Sequence, residues 1–173
     1  MAKKKNLKIP RSMRKKIQEH KRANKAINES QERLLQRAKA DATDAGMELS
    51  VAPPTTEKMS EIIIYFAKPL LDAASNTDEQ KKALTVAILI WNLSILPEKM
   101  QSKQKNKIKK LLNISNTDDP LDGGYRVVNF LIQRKKLAFP NINRMVMGYE
   151  IIDTPRGIHL NVTSNVSKNG INS

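Results

Sequence analysis

The chain of 173 residues has no cysteine, only two histidines and only seven aromatic residues. The absence of cysteine excludes a disulfide scaffold, a thiolate metal site, an iron–sulfur cluster and a cysteine nucleophile. With His20 and His159 alone, a multi-histidine metal site is not expected, and we predict neither a bound metal nor a cofactor. The longest uncharged run, residues 83–97, is shorter than the about 18 apolar residues that indicate a membrane span.

The sequence also lacks the motifs of common enzyme classes. No serine lies in a Gly-x-Ser-x-Gly context, no Gly-x-x-x-x-Gly-Lys loop is present, and the only Gly-Gly pair is at 123–124. We therefore predict that the protein is not an enzyme and takes no small-molecule substrate. Residues 1–50 contain no apolar stretch of a secretory signal, so we expect a cytoplasmic protein, with a nuclear location as the alternative in a eukaryote.

Positive charge is concentrated at the beginning of the chain. Lys and Arg number 31 against 17 Asp and Glu, a net charge of +14, and residues 1–40 alone hold 14 basic and three acidic residues. A basic segment of this density is typical of proteins that bind a polyanion. Because Lys and Arg release condensed counterions when they neutralise phosphates, such binding needs no sequence readout.

Two groups of basic residues form the predicted nucleic-acid interface. The first lies in the basic arm, residues 1–45, and the second on one side of a helix predicted over residues 98–112. No aromatic residue precedes Tyr65, which disfavours base stacking and favours phosphate contacts with structured RNA or duplex DNA. The predicted contact residues are Lys3, Lys4, Lys5, Lys8, Arg11, Arg14, Lys15, Lys16, Lys21, Arg22, Lys25, Lys103, Lys107 and Lys110.

Helical periodicity dominates the chain as far as residue 138. Good helix formers predict a helix from Arg11 to about Ala45, whose interrupted apolar stripe is too irregular for a coiled coil. Thr77 and Gln80 predict a capping box for a helix over 78–95, which is apolar almost all round and therefore central to the core. Residues 125–138 predict another helix. A strand is the alternative for this segment, because short apolar runs fit either structure.

Two positions in these helices break the simple pattern. Pro69 lies inside the apolar repeat of residues 59–74, where it removes a backbone donor and crowds the carbonyl of Tyr65, so we expect a kinked or split helix. Trp91 is expected in the core because of its large apolar surface. Asn92 beside it is expected to cap or bridge the kink at Pro69, since a buried amide requires partners.

After Pro140 the apolar period changes from helical spacing to two. Met145, Met147, Tyr149 and Ile151 share one face of a predicted strand, and residues 153–157 have the composition of a turn. A second alternating segment follows, so we predict a β-hairpin at about 144–163 with a five-residue loop. Its Met145/Leu160 face should pack on the helices, because an isolated hairpin is only marginally stable.

The sequence thus predicts an α+β protein, mostly α: a small helical domain with a C-terminal β-hairpin, preceded by a basic, partly helical N-terminal arm. The expected divisions are the arm (1–45, disordered then helical), a proline-containing linker (46–56), the domain (57–163) and a disordered tail (164–173). We expect a non-catalytic nucleic-acid-associated protein that binds RNA or the ribosome. The alternative is a protein-interaction adaptor whose helical domain docks a partner. The sequence does not distinguish DNA from RNA as the partner. It also leaves open the oligomeric state and whether the arm is ordered without a partner.

Overall fold

The computed structural model describes residues 10–44, 57–97, 101–112 and 123–165, without the side chains of residues 102–104. These residues form the mostly helical α+β fold that the sequence predicts, and residues 125–138 are helix rather than strand. The predictions for residues 1–9, the linker and most of the tail lie outside the described residues. The elements are α1 (Arg11–Asp44), α2 (Met59–Ala73), α3 (Thr77–Ile95), α4 (Gln101–Leu112), α5 (Gly123–Ala138), β1 (Val146–Thr154) and β2 (Gly157–Ser164).

The core is built around α3 and an aromatic cluster, which confirms the prediction for Trp91. The Trp91 ring is fully buried and meets Phe66 and Phe139 edge to face, with centroids 5.2 and 5.5 Å away. Such pairs add about 0.5–1.5 kcal/mol each beyond the burial of apolar area. The indole Nε1 donates to the carbonyl of Arg144 at 2.8 Å, so the polar edge of Trp91 is satisfied as well.

Asn92 joins α3 to the hairpin, and the expectation that it bridges the kink at Pro69 is wrong. Its Nδ2 donates to the Val146 carbonyl at 2.8 Å, and its Oδ1 accepts from the Val146 N–H at 2.9 Å. The side-chain amide therefore pairs with both backbone groups of the first residue of β1, as a neighbouring strand would. Because both residues are buried, these bonds fix where the hairpin starts on the core.

α2 continues through Pro69 without splitting, because Arg134 of α5 supplies donors to its backbone. Pro69 has no N–H, which leaves the carbonyl of Tyr65 four residues earlier without its helical donor. Arg134 Nη2 donates to that carbonyl at 3.0 Å, and Nε donates to the Phe66 carbonyl at 3.1 Å. These charge-assisted bonds stabilise the helix at the proline.

α3 begins one residue earlier than the predicted capping box indicates. Its N-cap is Asn76, whose Oδ1 accepts from the Glu79 N–H at 2.9 Å. Glu79 Oε2 in turn accepts from the Ser75 N–H at 2.7 Å. The prediction of Thr77 and Gln80 as the box is therefore wrong by one position, since asparagine caps a helix at least as well as threonine.

The hairpin turn is tighter than the predicted five-residue loop. Thr154 lies opposite Gly157, so only Pro155 and Arg156 lie between the paired residues of β1 and β2. Gly157 has φ +113°, a backbone conformation that residues with a side chain rarely adopt. The strand pairing therefore extends almost to the tip of the hairpin.

A bulge at Met147 changes the phase of β1. Val146 pairs with Ser164 but Gly148 pairs with Thr163, so Met147 is an extra residue on its strand. Val146 is buried while Met147 is 63% exposed. The prediction that Met147 faces the helices is therefore wrong, whereas Leu160 is buried as predicted.

The hairpin forms a middle layer with helices on both sides. On one face Ile151 lies opposite Leu160 and packs into the core formed by α2, α3 and α5. The same face carries Asp153, which pairs with Lys81 of α3 at 2.7 Å. The opposite face, which includes Glu150 and its partner Asn161, contacts α1. This layer order decides which side of α1 faces solvent.

Candidate nucleic-acid interface

α1 is held on the hairpin by a buried polar contact. Ser30 is fully buried and Asn161 of β2 is only 5% exposed. Asn161 Nδ2 donates to Ser30 Oγ at 2.8 Å and to the Ile27 carbonyl at 3.1 Å. Gln31 Nε2 donates to Asn161 Oδ1 at 3.4 Å. One strand residue therefore bonds three positions, 27, 30 and 31, within about one turn of the helix.

An apolar contact lies further along α1, close to the open end of the hairpin. Leu34 is buried, and its Cδ2 is 3.3 Å from where a Cβ on Gly148 would lie. The same Cβ would be 3.0 Å from Thr163 Oγ1. A side chain at position 148 would thus separate helix and strand, and glycine permits the close approach.

An ion pair completes the attachment of α1. Arg33 donates to the two carboxylate oxygens of Glu150 at 2.7 and 3.3 Å, and Arg37 lies 3.8 Å from the same group. These hydrogen bonds from Arg33 lower the pKa of Glu150 below its ordinary value, and they raise the pKa of Arg33. Arg33 and Arg37 are therefore engaged with the hairpin, although both stay largely exposed.

Anchoring on one side directs the basic residues of α1 to the other side. Measured at about 100° per residue from the mean direction of Ser30 and Leu34, five of the predicted contact residues lie on the outward half of the helix, and all five are exposed. Lys15 lies at the edge of that half, about 80° from the anchored direction, and Lys16 lies on the anchored side, yet both are exposed. The five outward residues are Arg11, Arg14, Lys21, Arg22 and Lys25.

The first turns of α1 extend beyond the hairpin. His20 lies at the hairpin turn, where its Nε2 is 3.2 Å from Arg156 Nη2. The nine residues Arg11–Glu19 precede this contact and lead away from the hairpin, a length of about 13 Å at about 1.5 Å per residue. Most of this segment is exposed on every side, so its cations are accessible to a large partner.

The other predicted contact residues divide into two sets. Lys107 and Lys110 are exposed on the side of α4 opposite the buried Ile108. α4 packs on α3 whereas α1 packs on the hairpin, so the two basic groups belong to different layers. The remaining predicted residues have side chains outside the described part of the chain; they are Lys3, Lys4, Lys5, Lys8 and Lys103.

Sequence reasoning missed a cleft between α1 and the hairpin turn. Its polar lining comprises His20 and Asn24 of α1, Thr154 and Arg156 at the turn, and His159 of β2. The cleft has a volume of about 370 Å³. Nothing in the sequence brings positions 20 and 159 together, although a glycine inside a strand, at 148, is a signal of close approach by another element.

The described residues form neither a metal-binding cluster nor a membrane-spanning helix. Within residues 10–44, 57–97, 101–112 and 123–165, no three His, Asp or Glu side chains cluster as a metal ion requires. None of the helices in this part of the chain combines the length and hydropathy of a membrane span. No protein-family model, curated protein or solved structure matches the sequence or fold of this chain.

Proposed function

We propose that this protein is a non-catalytic nucleic-acid-associated protein that binds phosphates of structured RNA, the ribosome included, or of duplex DNA through the outward side of α1. The observation that carries the proposal is the one-sided anchoring of α1 on the hairpin. Ser30 and Leu34 face the hairpin, so the cations from Arg11 to Lys25 face solvent on a helix of fixed direction. A rigid row of cations binds phosphates with less loss of conformational freedom than a disordered tail.

Charge pairing within α1 supports the same surface. Lys25 and Glu29 form an exposed pair at 3.6 Å, which contributes little in water and can exchange for a phosphate. Arg33 and Arg37 in the second half of α1 already pair with Glu150. The last cation of the proposed interface is therefore Lys25, before the middle of the helix. The interface proposed here therefore comprises the part of α1 before Glu29, together with the lysines that precede it.

A charge-neutralising variant tests the proposal without removing α1 from the hairpin. Deletion of residues 1–40 would also remove Ser30 and Leu34, so point substitutions are the cleaner change. The triple variant Lys15→Gln, Lys21→Gln and Arg22→Gln removes three exposed cations of this segment. Fluorescence anisotropy with a labelled RNA hairpin at about 0.1 M salt should show Kd weakened roughly 100-fold or more, since each lost phosphate contact costs roughly a factor of eight there.

The matched control removes the same charge elsewhere. Lys58 precedes α2, Lys68 lies in α2 and Lys82 lies in α3; all three are exposed, and changing them to Gln gives the same net charge. This control should keep Kd within about threefold of the unmodified chain, because global charge alone acts weakly when salt screens it. Equal losses in the two triple variants would contradict a defined interface on α1.

An exposed apolar surface favours the adaptor as a second candidate. Tyr65 is 59% exposed, and on the neighbouring α5 Phe130 and Leu137 are 50% and 81% exposed. Arg134 lies between the two α5 residues and its guanidinium is 5.3 Å from the Tyr65 ring centroid, which makes the surface continuous. A protein partner retained at about 1 M salt and lost in the variant Leu137→Glu would support the adaptor, because apolar contacts resist salt.

A further inference from the structure

The cleft at the hairpin turn carries positive charge and hydrogen-bond donors but no carboxylate. Arg156 contributes a guanidinium cation, and His20 and His159 contribute two imidazole rings. Asn24 and Thr154 add an amide and a hydroxyl. The apolar part of the lining consists of Ala23, Ile27, Pro155 and Ile158.

Neighbouring bonds define the proton positions on both imidazoles. Asn161 donates through Nδ2 to Ser30 and Ile27, so its Oδ1 is the atom that accepts from His159 Nε2 at 3.0 Å. His159 therefore has its proton on Nε2 when neutral. His20 Nε2 lies 3.2 Å from Arg156 Nη2, and because guanidinium only donates, this nitrogen accepts. Neutral His20 has its proton on Nδ1 for this reason.

None of the described residues that line the cleft is acidic, although three acidic groups lie near it. Asp153 is on the opposite face of the hairpin, where it pairs with Lys81 at 2.7 Å. Glu150 shares the α1-facing side but is occupied by Arg33. Glu19 precedes His20 on the hairpin-facing side of α1 and is half-buried, but it does not line the cleft. Lys16 lies one turn before His20 on the same side and adds positive charge.

We propose that this cleft between α1 and the hairpin turn binds a phosphate group, contacted by Arg156, His20 and His159. The volume of about 370 Å³ accommodates a phosphate with an attached sugar. Where the phosphate belongs to a nucleic acid, the cleft extends the proposed interface and rests on that function. A free phosphate monoester has the same chemistry and is the other source.

Nuclear magnetic resonance of the imidazoles provides the test, since the chain has only these two histidines. At constant ionic strength, inorganic phosphate and sulfate should shift both imidazole signals in a saturable way. An RNA dinucleotide with a 5′-phosphate that binds more tightly than inorganic phosphate identifies nucleic acid as the source, and equal affinities identify a free phosphate.

The variant Arg156→Gln should abolish the saturable shifts, while Lys82→Gln should keep them. Fluorescence of the single tryptophan, which is buried in the core, verifies that both variants are folded. The triple variant in α1 should keep the phosphate-induced shifts, so a failure of the proposed nucleic-acid binding is distinguishable from a failure here. Absence of a shift in both signals up to millimolar phosphate, or shifts that survive in Arg156→Gln, would overturn the proposal.

Discussion

Replacing Asn161 with alanine tests whether α1 is held on the hairpin by hydrogen bonds. The amide donates to Ser30 Oγ and to the Ile27 carbonyl at 2.8 and 3.1 Å. Asn161 is 5% exposed and Ser30 is fully buried, so water does not readily replace the lost donor. The substitution therefore leaves a hydroxyl and a carbonyl without their partner inside the α1–hairpin contact.

The expected cost follows from the number of bonds lost. Each net intramolecular hydrogen bond contributes about 0.5–1.5 kcal/mol, and an unsatisfied buried partner costs about 1–3 kcal/mol. The two bonds that Nδ2 donates therefore predict a loss of at least about 2 kcal/mol for Asn161→Ala, and the contacts of Oδ1 with Gln31 and His159 are lost as well. Ser30→Ala should cost about 1 kcal/mol in the unmodified chain and less in the Asn161→Ala background, because Ser30 has then already lost that donor.

Hydrogen exchange of α1 and urea unfolding give the two measurements. Amides between His20 and Ala42 should exchange faster in Asn161→Ala, while those of α3 keep their protection, since the aromatic core is untouched. Asn129 is an exposed asparagine on α5, and its change to alanine should cost less than about 0.5 kcal/mol. A cost for Asn161→Ala equal to this control, or additive effects with Ser30→Ala, would refute the account of the attachment.

Two further predictions concern charged groups in the fold. Because Arg33 lowers the pKa of Glu150, this carboxylate should stabilise the attachment of α1 above about pH 4.3 and cease to do so as pH falls through the lowered pKa. Amide chemical shifts of α1 should show this acid transition, and Glu150→Gln should remove it; a transition unchanged in the variant would contradict the prediction. Arg134→Gln should cost about 2 kcal/mol, and about 1 kcal/mol less in a Pro69→Ala background that restores a backbone donor. Additive losses in urea unfolding would show that the arginine does not compensate for the proline.

The sequence was sufficient for elements whose apolar period is regular. α3 is apolar almost all round, which predicted both the central helix and the burial of Trp91. The alternation of apolar and polar residues predicted the hairpin, but it predicted neither the two-residue turn nor the bulge at Met147. Val146 and Met147 are adjacent apolar residues, so the pattern alone does not say which one is the bulge. The partners of Pro69 and Asn92 were also beyond prediction, because they lie on elements distant in the chain.

In the candidate site, too, the sequence predicted the regular features but not the contacts between elements distant in the chain. Composition and helical spacing were enough to identify the basic residues from Arg11 to Lys25 as one group. Which side of α1 faces solvent depends on Ser30 and Asn161, and small polar residues of this kind carry no periodic apolar signal. The cleft depends on His20 meeting the hairpin turn, a contact that follows from the three-dimensional layer order alone.

The salt dependence of nucleic-acid binding is the most direct test of the central claim, that the outward side of α1 contacts phosphates. Affinity should be measured against a DNA duplex from about 0.05 to 0.3 M salt, for the unmodified chain and for the variant Lys15→Gln, Lys21→Gln, Arg22→Gln. If about eight phosphates are contacted, the plot of log affinity against log salt should have a slope near −7, and the variant should reduce its magnitude by about 2.7. A slope that is near zero, or identical in the two proteins, would contradict the account.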